Sequence, residues 1–408
     1  MTWDLPLWQS LLPIGRHPAT GGYRRYSFTE ADSGCREWFK NAAAERGLRV
    51  ECDSVGNLWA WLDVRDDLDR GGAIVAGSHL DSVPDGGAFD GPLGVVSAFA
   101  AIDLLSERGP KPVRPVGVVA FVEEEGARFG LACLGSKLLT GVVAADVARD
   151  LTDSEGISFA EAIAGAGLDP GLVGADGGLA ERVAAFVELH VEQGSALDGM
   201  GAVVGVAESI WPHGRWRIDF DGRADHAGTT RLADRRDPML PYAATVLAAR
   251  EAASECGALA TMSKVRAVPG GANGICSAVH AWLDARAASE ETLESLVARV
   301  MECARGSADQ HGVTVTSRCE SFTPVVEFDR DLRDRVVTAL ARRGTTAPVL
   351  PTGAGHDAGV LAGVVPTAML FVRNRTGVSH SPAEYAEPED CAAGVEALAA
   401  VIEELACR

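Results

Sequence analysis

Three short apolar runs, Ala73 to Ala76, Val116 to Val122 and Ala184 to Leu189, constrain the fold of this chain more than any other feature, because each ends at a cluster of polar residues. Predominantly apolar runs of this length, the third broken only by Glu188, read as strands covered on both faces. Helical segments separate them, which predicts a largely parallel sheet that presents side chains at its C-terminal edge. The residues presented are histidines and carboxylates: GSHLDSVPDGGAFDGPLG over 77–94, EEEG over 123–126 and HVEQG over 190–194. A Gly- and Asp-rich turn is ordinary by itself. Its recurrence with His and Glu at successive strand ends is what points to chemistry.

At 408 residues the chain is too long for one comfortable core, so two domains are expected. The pattern changes near residue 210, where Trp216, Ile218 and Phe220 alternate with Arg217, Asp219 and Asp221 as in a half-exposed strand. One later helix carries Leu293, Leu296, Val297, Val300 and Met301 on a single face. The expected architecture is α/β: a mostly parallel-sheet catalytic domain over 1–210 and 326–408, interrupted by an inserted α+β domain over 211–325. The open edges of an antiparallel sheet in the insert could pair in a homodimer.

A net charge of −20 argues against nucleic-acid or anionic-membrane partners, which need clustered Lys and Arg. A few local arginines could still hold a small anion. No apolar run approaches the roughly 18 residues of a membrane span, and the opening MTWDLPLWQSLL lacks the basic and apolar regions of a secretory signal. The nine cysteines are odd in number, scattered and never spaced as C-x-x-C. Reduced thiols in a cytoplasm are expected, rather than a disulfide framework or a zinc knuckle.

Six residues carry the chemistry: His79, Asp90, Glu124, Glu125, His190 and His380. Singly, each has an ordinary alternative, such as a solvated acidic turn for EEEG, a core histidine for His190 or a turn histidine for His380. Together they supply what two metal ions about 3.5 to 4 Å apart require: one bridging carboxylate and terminal imidazole or carboxylate ligands. One carboxylate is left over. If Glu124 and Glu125 end a strand they point to opposite sides, so one can ligate while the other acts as general base toward a metal-activated water.

The segments GSHLDSVPDGG with its following DG, EEEGARF, ELHVEQG, ADHAGTT, GAGHDA and SHSPAE resemble the M20 metallopeptidase-like amidohydrolases. Within them they are most similar to the branch of allantoate amidohydrolase, N-carbamoyl-L-amino acid hydrolase and β-ureidopropionase. The resemblance spans essentially the whole chain in order. It implies two divalent ions per chain, Mn or Zn with Co or Ni as alternatives, and makes His79 and His190 ligands of the two sides of the site. Asp90 then resembles the bridge, Glu125 and His380 the second ion's ligands, Glu124 the base, and Asp81 the carboxylate that orients His79.

By the same resemblance the insert is a lid and dimerisation domain. His226 matches the histidine that reaches across a dimer to polarise the scissile carbonyl. Asn273 and Arg286 match positions that hold a substrate carboxylate, and Gln193 a substrate-amide contact. One departure is that ADHAGTT continues as RLADRRDP, where Pro-Met is common. His356 and Asp357 also match, with no role implied beyond shaping the loop beside the metals. The implied reaction is hydrolysis of a terminal ureido group on a small carboxylate. Allantoate is the first candidate substrate, and N-carbamoyl-L-amino acids or N-carbamoyl-β-alanine are the alternatives. An M20-type dipeptidase would instead release amino acids, and a silent binding homologue would have lost a ligand or the base.

Overall fold

The structure, a computed structural model, describes residues 3, 6–63, 72–109 and 111–407. Residues 1, 2, 4 and 5 of the opening MTWDLPLWQSLL, the stretch expected to carry no secretory signal, lie outside the described residues. The chain first lays down β1 (Arg49–Cys52), β2 (Leu58–Leu62), β3 (Ala73–His79), β4 (Val116–Phe121), β5 (Val183–Val191) and β6 (Val204–Ile210). It continues with β7 (His213–Asp221), β8 (Asp225–His226), β9 (Leu259–Val268), β10 (Gly274–Ile275), β11 (Ala278–Arg286) and β12 (Thr314–Thr323). Three strands complete it: β13 (Val326–Glu327), β14 (Val349–Thr352) and β15 (Thr367–Val372). Two compact units result, Met1–Glu208 with Glu327–Leu350 and Gly355–Arg408, and Ser209–Val326 with Pro351–Ala354. The last of these segments comes from a stretch that the sequence pattern places in the returning part of the first domain.

In the first unit the strands run β1-β2-β4-β3-β5-β15-β6-β13, with β14 against β6. The central neighbours β4, β3, β5 and β15 are all parallel, as the apolar runs predict. The flanks are antiparallel, because the β1-β2 hairpin adds β2 to β4 and β15 pairs with β6. The turn between β1 and β2 is organised by Asp53, whose Oδ1 accepts the backbone N–H groups of Val55, Gly56 and Asn57 at 3.0, 2.9 and 2.9 Å.

Burial explains the central strands. Every residue of β3, β4 and β15 is buried, and one core joins their side chains to the helices Glu30–Glu45, Pro92–Arg108, Arg330–Arg342 and Pro388–Ala406. Helix Pro92–Arg108 is apolar nearly all round, as a helix enclosed on every side must be. Its first residue is proline and its C-cap, Gly109, is left-handed, so both ends are set locally. Parallel register brings His79 level with Phe121, and His190 level with Phe371. The loops after β3, β4, β5 and β15 therefore leave from one edge of the sheet.

The second unit is a four-stranded antiparallel sheet, β12-β7-β11-β9, and a two-stranded ribbon of β8 and β10. Ile218, Phe220, Val279, Ala281 and Leu283 pack with Leu293, Leu296, Val300 and Met301 of helix Glu290–Gln310, and with helix Met239–Cys256. The alternation expected for β7 is thus the burial pattern observed, with Trp216 only half-covered. Among the described residues, no helix is long and apolar enough to cross a membrane.

Candidate metal centre

His79 is the last residue of β3, and β5 runs past Leu189 so that His190 still lies within the strand. Both imidazoles are buried and lie face to face, with ring centroids 6.0 Å apart and planes at 28°. Each ring's Nδ1 meets a backbone carbonyl, Asp81 O at 3.1 Å for His79 and Val191 O at 2.8 Å for His190. That leaves both Nε2 atoms turned inward, buried and without a hydrogen-bond partner among the described residues.

Asp90 returns beside them because the chain turns at Gly91, with φ +83°. A Cβ there would stand 2.4 Å from His79 Cε1, so only glycine lets the next helix start against the imidazole. Asp90 Oδ1 lies 3.5 Å from His79 Nε2 and 3.2 Å from His190 Nε2, and Oδ2 lies 3.3 Å from His380 Nε2. The two strand histidines therefore share one carboxylate oxygen, rather than lying on the two sides of the site as the family resemblance implied. The other oxygen faces His380.

Strand β4 ends at Phe121, so alternation along a strand does not separate Glu124 from Glu125. The separation comes from the loop, which turns through Glu123 in a left-handed conformation, φ +56°. Glu124 Oε2 then lies 3.7 Å from His79 Nε2, while Glu125 Oε2 lies 3.6 Å from His380 Nε2. The Asp81 carboxylate is engaged mainly with this loop, accepting the backbone N–H groups of Glu124 at 3.2 Å and Glu125 at 3.0 Å. Its Oδ1 is 3.6 Å from His79 Nδ1, farther than its own carbonyl oxygen.

Electrostatics follow from crowding charge in a dry place. Burial opposes a charge on His79, yet Glu124, Asp81 and Asp90 outweigh it and hold the ring well above its usual pKa. Burial likewise opposes ionisation of Asp90, but the facing imidazoles of His190, His380 and His79 hold it well below the usual carboxylate range. Burial pushes Glu124 well above that range, and burial with the nearby Asp90 charge pushes Glu125 up to about 7.

The ligating atoms of His79, Asp90 and His190 lie within 4.8 Å of one another, as do those of Asp90, Glu125 and His380. Buried imidazole nitrogens with no partner are costly unless a cation completes them. Imidazole and carboxylate donors around a shared Asp90 fit a divalent ion in each group. Gln193 sits over the second group, its Nε2 donating to Asp90 Oδ2 at 2.9 Å and lying 3.2 Å from His380 Nε2.

For several neighbours the sequence reasoning named no contact, and it placed His356 and Asp357 only in the loop beside the metals. The ligating atoms of Glu188, His190 and His356 also lie within 4.8 Å of one another. Its two oxygens, however, accept Ser78 Oγ at 2.6 Å and Ala358 N at 2.9 Å, which makes it internal scaffold. Spacing could have found it, since Glu188 shares a face of β5 with His190. His356 stacks on His190 with centroids 4.5 Å apart, and burial followed by the His190 charge lowers its pKa well below the usual value. Asp357 accepts Ser136 Oγ at 2.5 Å. Cys133 donates its thiol to Glu124 Oε1 at 3.2 Å, and Glu384 binds the backbone of Phe89 and Asp90. Glu384 closes the SHSPAE motif, but neither that motif nor the residues around Cys133 announce these contacts.

His226, Asn273 and Arg286 belong to the second unit. The β8-β10 ribbon pairs His226 with Gly274, beside Asn273, whose carbonyl accepts Ala227 N at 3.2 Å. The His226 ring is exposed, and its Nδ1 accepts Gly228 N at 3.0 Å and Thr229 N at 3.2 Å. A neutral ring so held carries its proton on Nε2. The departing RLADRRDP segment is tied down by Arg235, which donates to Thr230 O at 3.0 Å and Ala227 O at 2.7 Å. Arg286 ends β11 with its guanidinium on Asp284 Oδ1, 2.9 Å, and Gly353 O, 2.6 Å.

The model of peptidase family M20/M25/M40 matches residues 75–404. The chain is 36% identical to an N-carbamoyl-L-amino acid amidohydrolase of Geobacillus stearothermophilus, the match covering 98% of each. It is 32% identical to the allantoate amidohydrolase of Escherichia coli K12, over 97% of this chain and 96% of that one. Among solved structures, a hydantoinase/carbamoylase family amidase from Burkholderia vietnamiensis is 30% identical and superposes with a TM-score of 0.87, covering 98% and 97% of the two chains. With the centre at the sheet edge and these relatives along its whole length, the chain belongs to peptidase family M20/M25/M40, and within it is a hydrolase of non-peptide C–N bonds.

Proposed function

We propose that the protein hydrolyses the ureido C–N bond of a small carboxylate, using two divalent ions per chain. The observation that carries the proposal is the pair of donor groups sharing Asp90, with Glu124 beside them but in neither. His79, Asp90 and His190 would hold one ion, and Asp90, Glu125 and His380 the other. Manganese or zinc suits these donors, and cobalt or nickel meets the same preferences. When bound, such ions supply Lewis acidity toward a carbonyl oxygen and lower the pKa of water.

The chain's own groups do the rest. Glu124, held by the Cys133 thiol on one oxygen, presents the other to take a proton from the attacking water and return it to the departing nitrogen. His226 offers its Nε2 proton to the carbonyl oxygen as charge develops there. Arg286, whose fork suits a planar anion, and Asn273 hold the substrate carboxylate, and Gln193 contacts the amide. The C–N bond breaks, the amine leaves, and carbamate falls to carbon dioxide and ammonia.

Allantoate is the substrate to which the motifs first incline. The higher identity to the N-carbamoyl-L-amino acid amidohydrolase, 36% against 32%, favours an N-carbamoyl-L-amino acid instead. We place the enzyme in the cytoplasm as a homodimer formed through the inserted unit, which acts as a lid. The deciding experiment loads the protein with Mn or Zn and measures ammonia release from allantoate, N-carbamoyl-β-alanine and several N-carbamoyl-L-amino acids, with dipeptides alongside. Amino-acid release from the dipeptides with no ammonia from any ureido compound would sink the proposal.

A further inference from the structure

We propose that Glu384 is a positioning residue that fastens the Asp90 loop to the His380 loop and thereby sets the geometry of the Asp90, Glu125 and His380 group. The proposal rests on the reading above that this group holds a metal ion.

Glu384 is 4% exposed, and all its contacts point one way. Its Oε1 accepts the backbone N–H groups of Phe89 at 3.0 Å and Asp90 at 2.9 Å. Its Oε2 is 3.2 Å from Ser379 Oγ, the residue next to His380, and that hydroxyl is also 3.2 Å from Asp90 Oδ2. One carboxylate thus holds the backbone of the shared ligand and, through one serine, the neighbour of the last ligand. The approach is possible because residue 87 is glycine. A Cβ on Gly87 would stand 2.3 Å from Glu384 Oε1 and 2.5 Å from its Cβ.

The two donor groups need this tie unequally. His79 and His190 are carried on central strands whose ladders fix their backbones. His380 lies on the loop after β15, with its side chain 50% exposed and its backbone left-handed at φ +53°. Asn374 organises the start of that loop, its Oδ1 accepting Thr376 N and Gly377 N at 3.1 Å each. Beyond His380, Glu384 is the residue that returns the loop to Asp90. Its loss should loosen one group and spare the other.

The test is calorimetric titration of the metal-stripped full chain with Mn²⁺, with bound metal counted after dialysis. The wild type should take up two ions. Glu384→Ala should bind the first as before and the second about 10- to 100-fold more weakly, the usual effect of removing a group that orients a ligand. Glu384→Gln, which keeps an oxygen for both backbone N–H groups, should recover most of the lost affinity. Ser379→Ala leaves those backbone bonds intact and removes the hydroxyl that links Glu384 Oε2, Asp90 Oδ2 and Gln193 Nε2, all on the side of the second group, so it too should weaken the second ion alone. It decides the matter if Glu384→Ala fails to fold. Unchanged affinity for both ions in the variants would overturn the proposal, as would equal weakening of both. A wild type that binds fewer than two ions would instead overturn the metal assignment on which it stands.

Discussion

The carboxylate of Asp81 accepts the backbone N–H of Glu125 at 3.0 Å, and its second oxygen accepts that of Glu124 at 3.2 Å. A residue two places after the end of β3 thus fixes the loop that leaves β4 by holding the backbone of both glutamates. Asp81→Ala should lower kcat/KM by about 10- to 100-fold, as loss of groups behind metal ligands generally does. Asp81→Asn, which retains one acceptor oxygen, should lose less. Equal activity of Asp81→Ala and wild type would show that the loop holds itself.

Glu124→Gln should lower kcat by about 100- to 10,000-fold, the range expected for removing a general base, while bound metal stays at the wild-type level. Steady-state kinetics with metal analysis on the same sample checks this. A variant that turns over normally would take the base role from Glu124.

A hydrogen bond with Asp90 and the charge of Glu125 hold the His380 imidazole up, to about 9, despite its partial burial. A cation entering the second group must displace that proton. Its affinity should therefore rise by about tenfold per pH unit below 9, and more steeply below about 7, where Glu125 is also protonated. Titrations with Mn²⁺ between pH 6 and 8.5 read this directly, and an affinity independent of pH would contradict it.

Burial, reinforced by Glu188, pushes Asp357 up to about 8. A carboxyl raised in the folded state binds its proton there while the unfolded chain has released it, so folding is favoured less as pH climbs from about 4 to about 8. Asp357→Asn removes that proton exchange. In the metal-stripped protein, the Tm of this variant relative to wild type should increase between pH 5 and pH 8.5. A constant difference would mean that Asp357 is ionised throughout.

Arg286→Ala should raise KM for ureido carboxylates by at least tenfold with a smaller change in kcat, because the guanidinium acts on the part of the substrate that does not react. An uncharged ureido compound should lose little. Equal losses for charged and uncharged substrates would remove Arg286 from the anion site.

Much of the architecture was legible in the sequence, for a definite reason. Near-continuous apolar runs of this length read as strands covered on both faces, so β3, β4 and β5 were readable as a parallel core with polar residues at their ends. The period-two pattern of β7 and the single apolar face of helix Glu290–Gln310 marked the second unit in the same way. Strands β13 and β14 were not readable, being two and four residues long. The antiparallel flanks depend on which strands meet at an edge, and no local pattern encodes that.

At the centre, the sequence by itself determined the chemical inventory: imidazoles and carboxylates at successive strand ends, one carboxylate more than two ions need, and the order of motifs that shows the family. Tertiary structure alone decided how the inventory is shared out. His79 and His190 fall on the same oxygen of Asp90 because parallel register sets β3 beside β5. Glu124 and Glu125 diverge because Glu123 turns left-handed beyond the strand, not because strand residues alternate. The groups that hold these side chains in place, Asp81 on the loop after β3 and Glu384 nearly 300 positions from Asp90, act through backbone N–H groups. Every residue except proline offers the same N–H, so a carboxylate that binds one leaves no partner for the sequence to show.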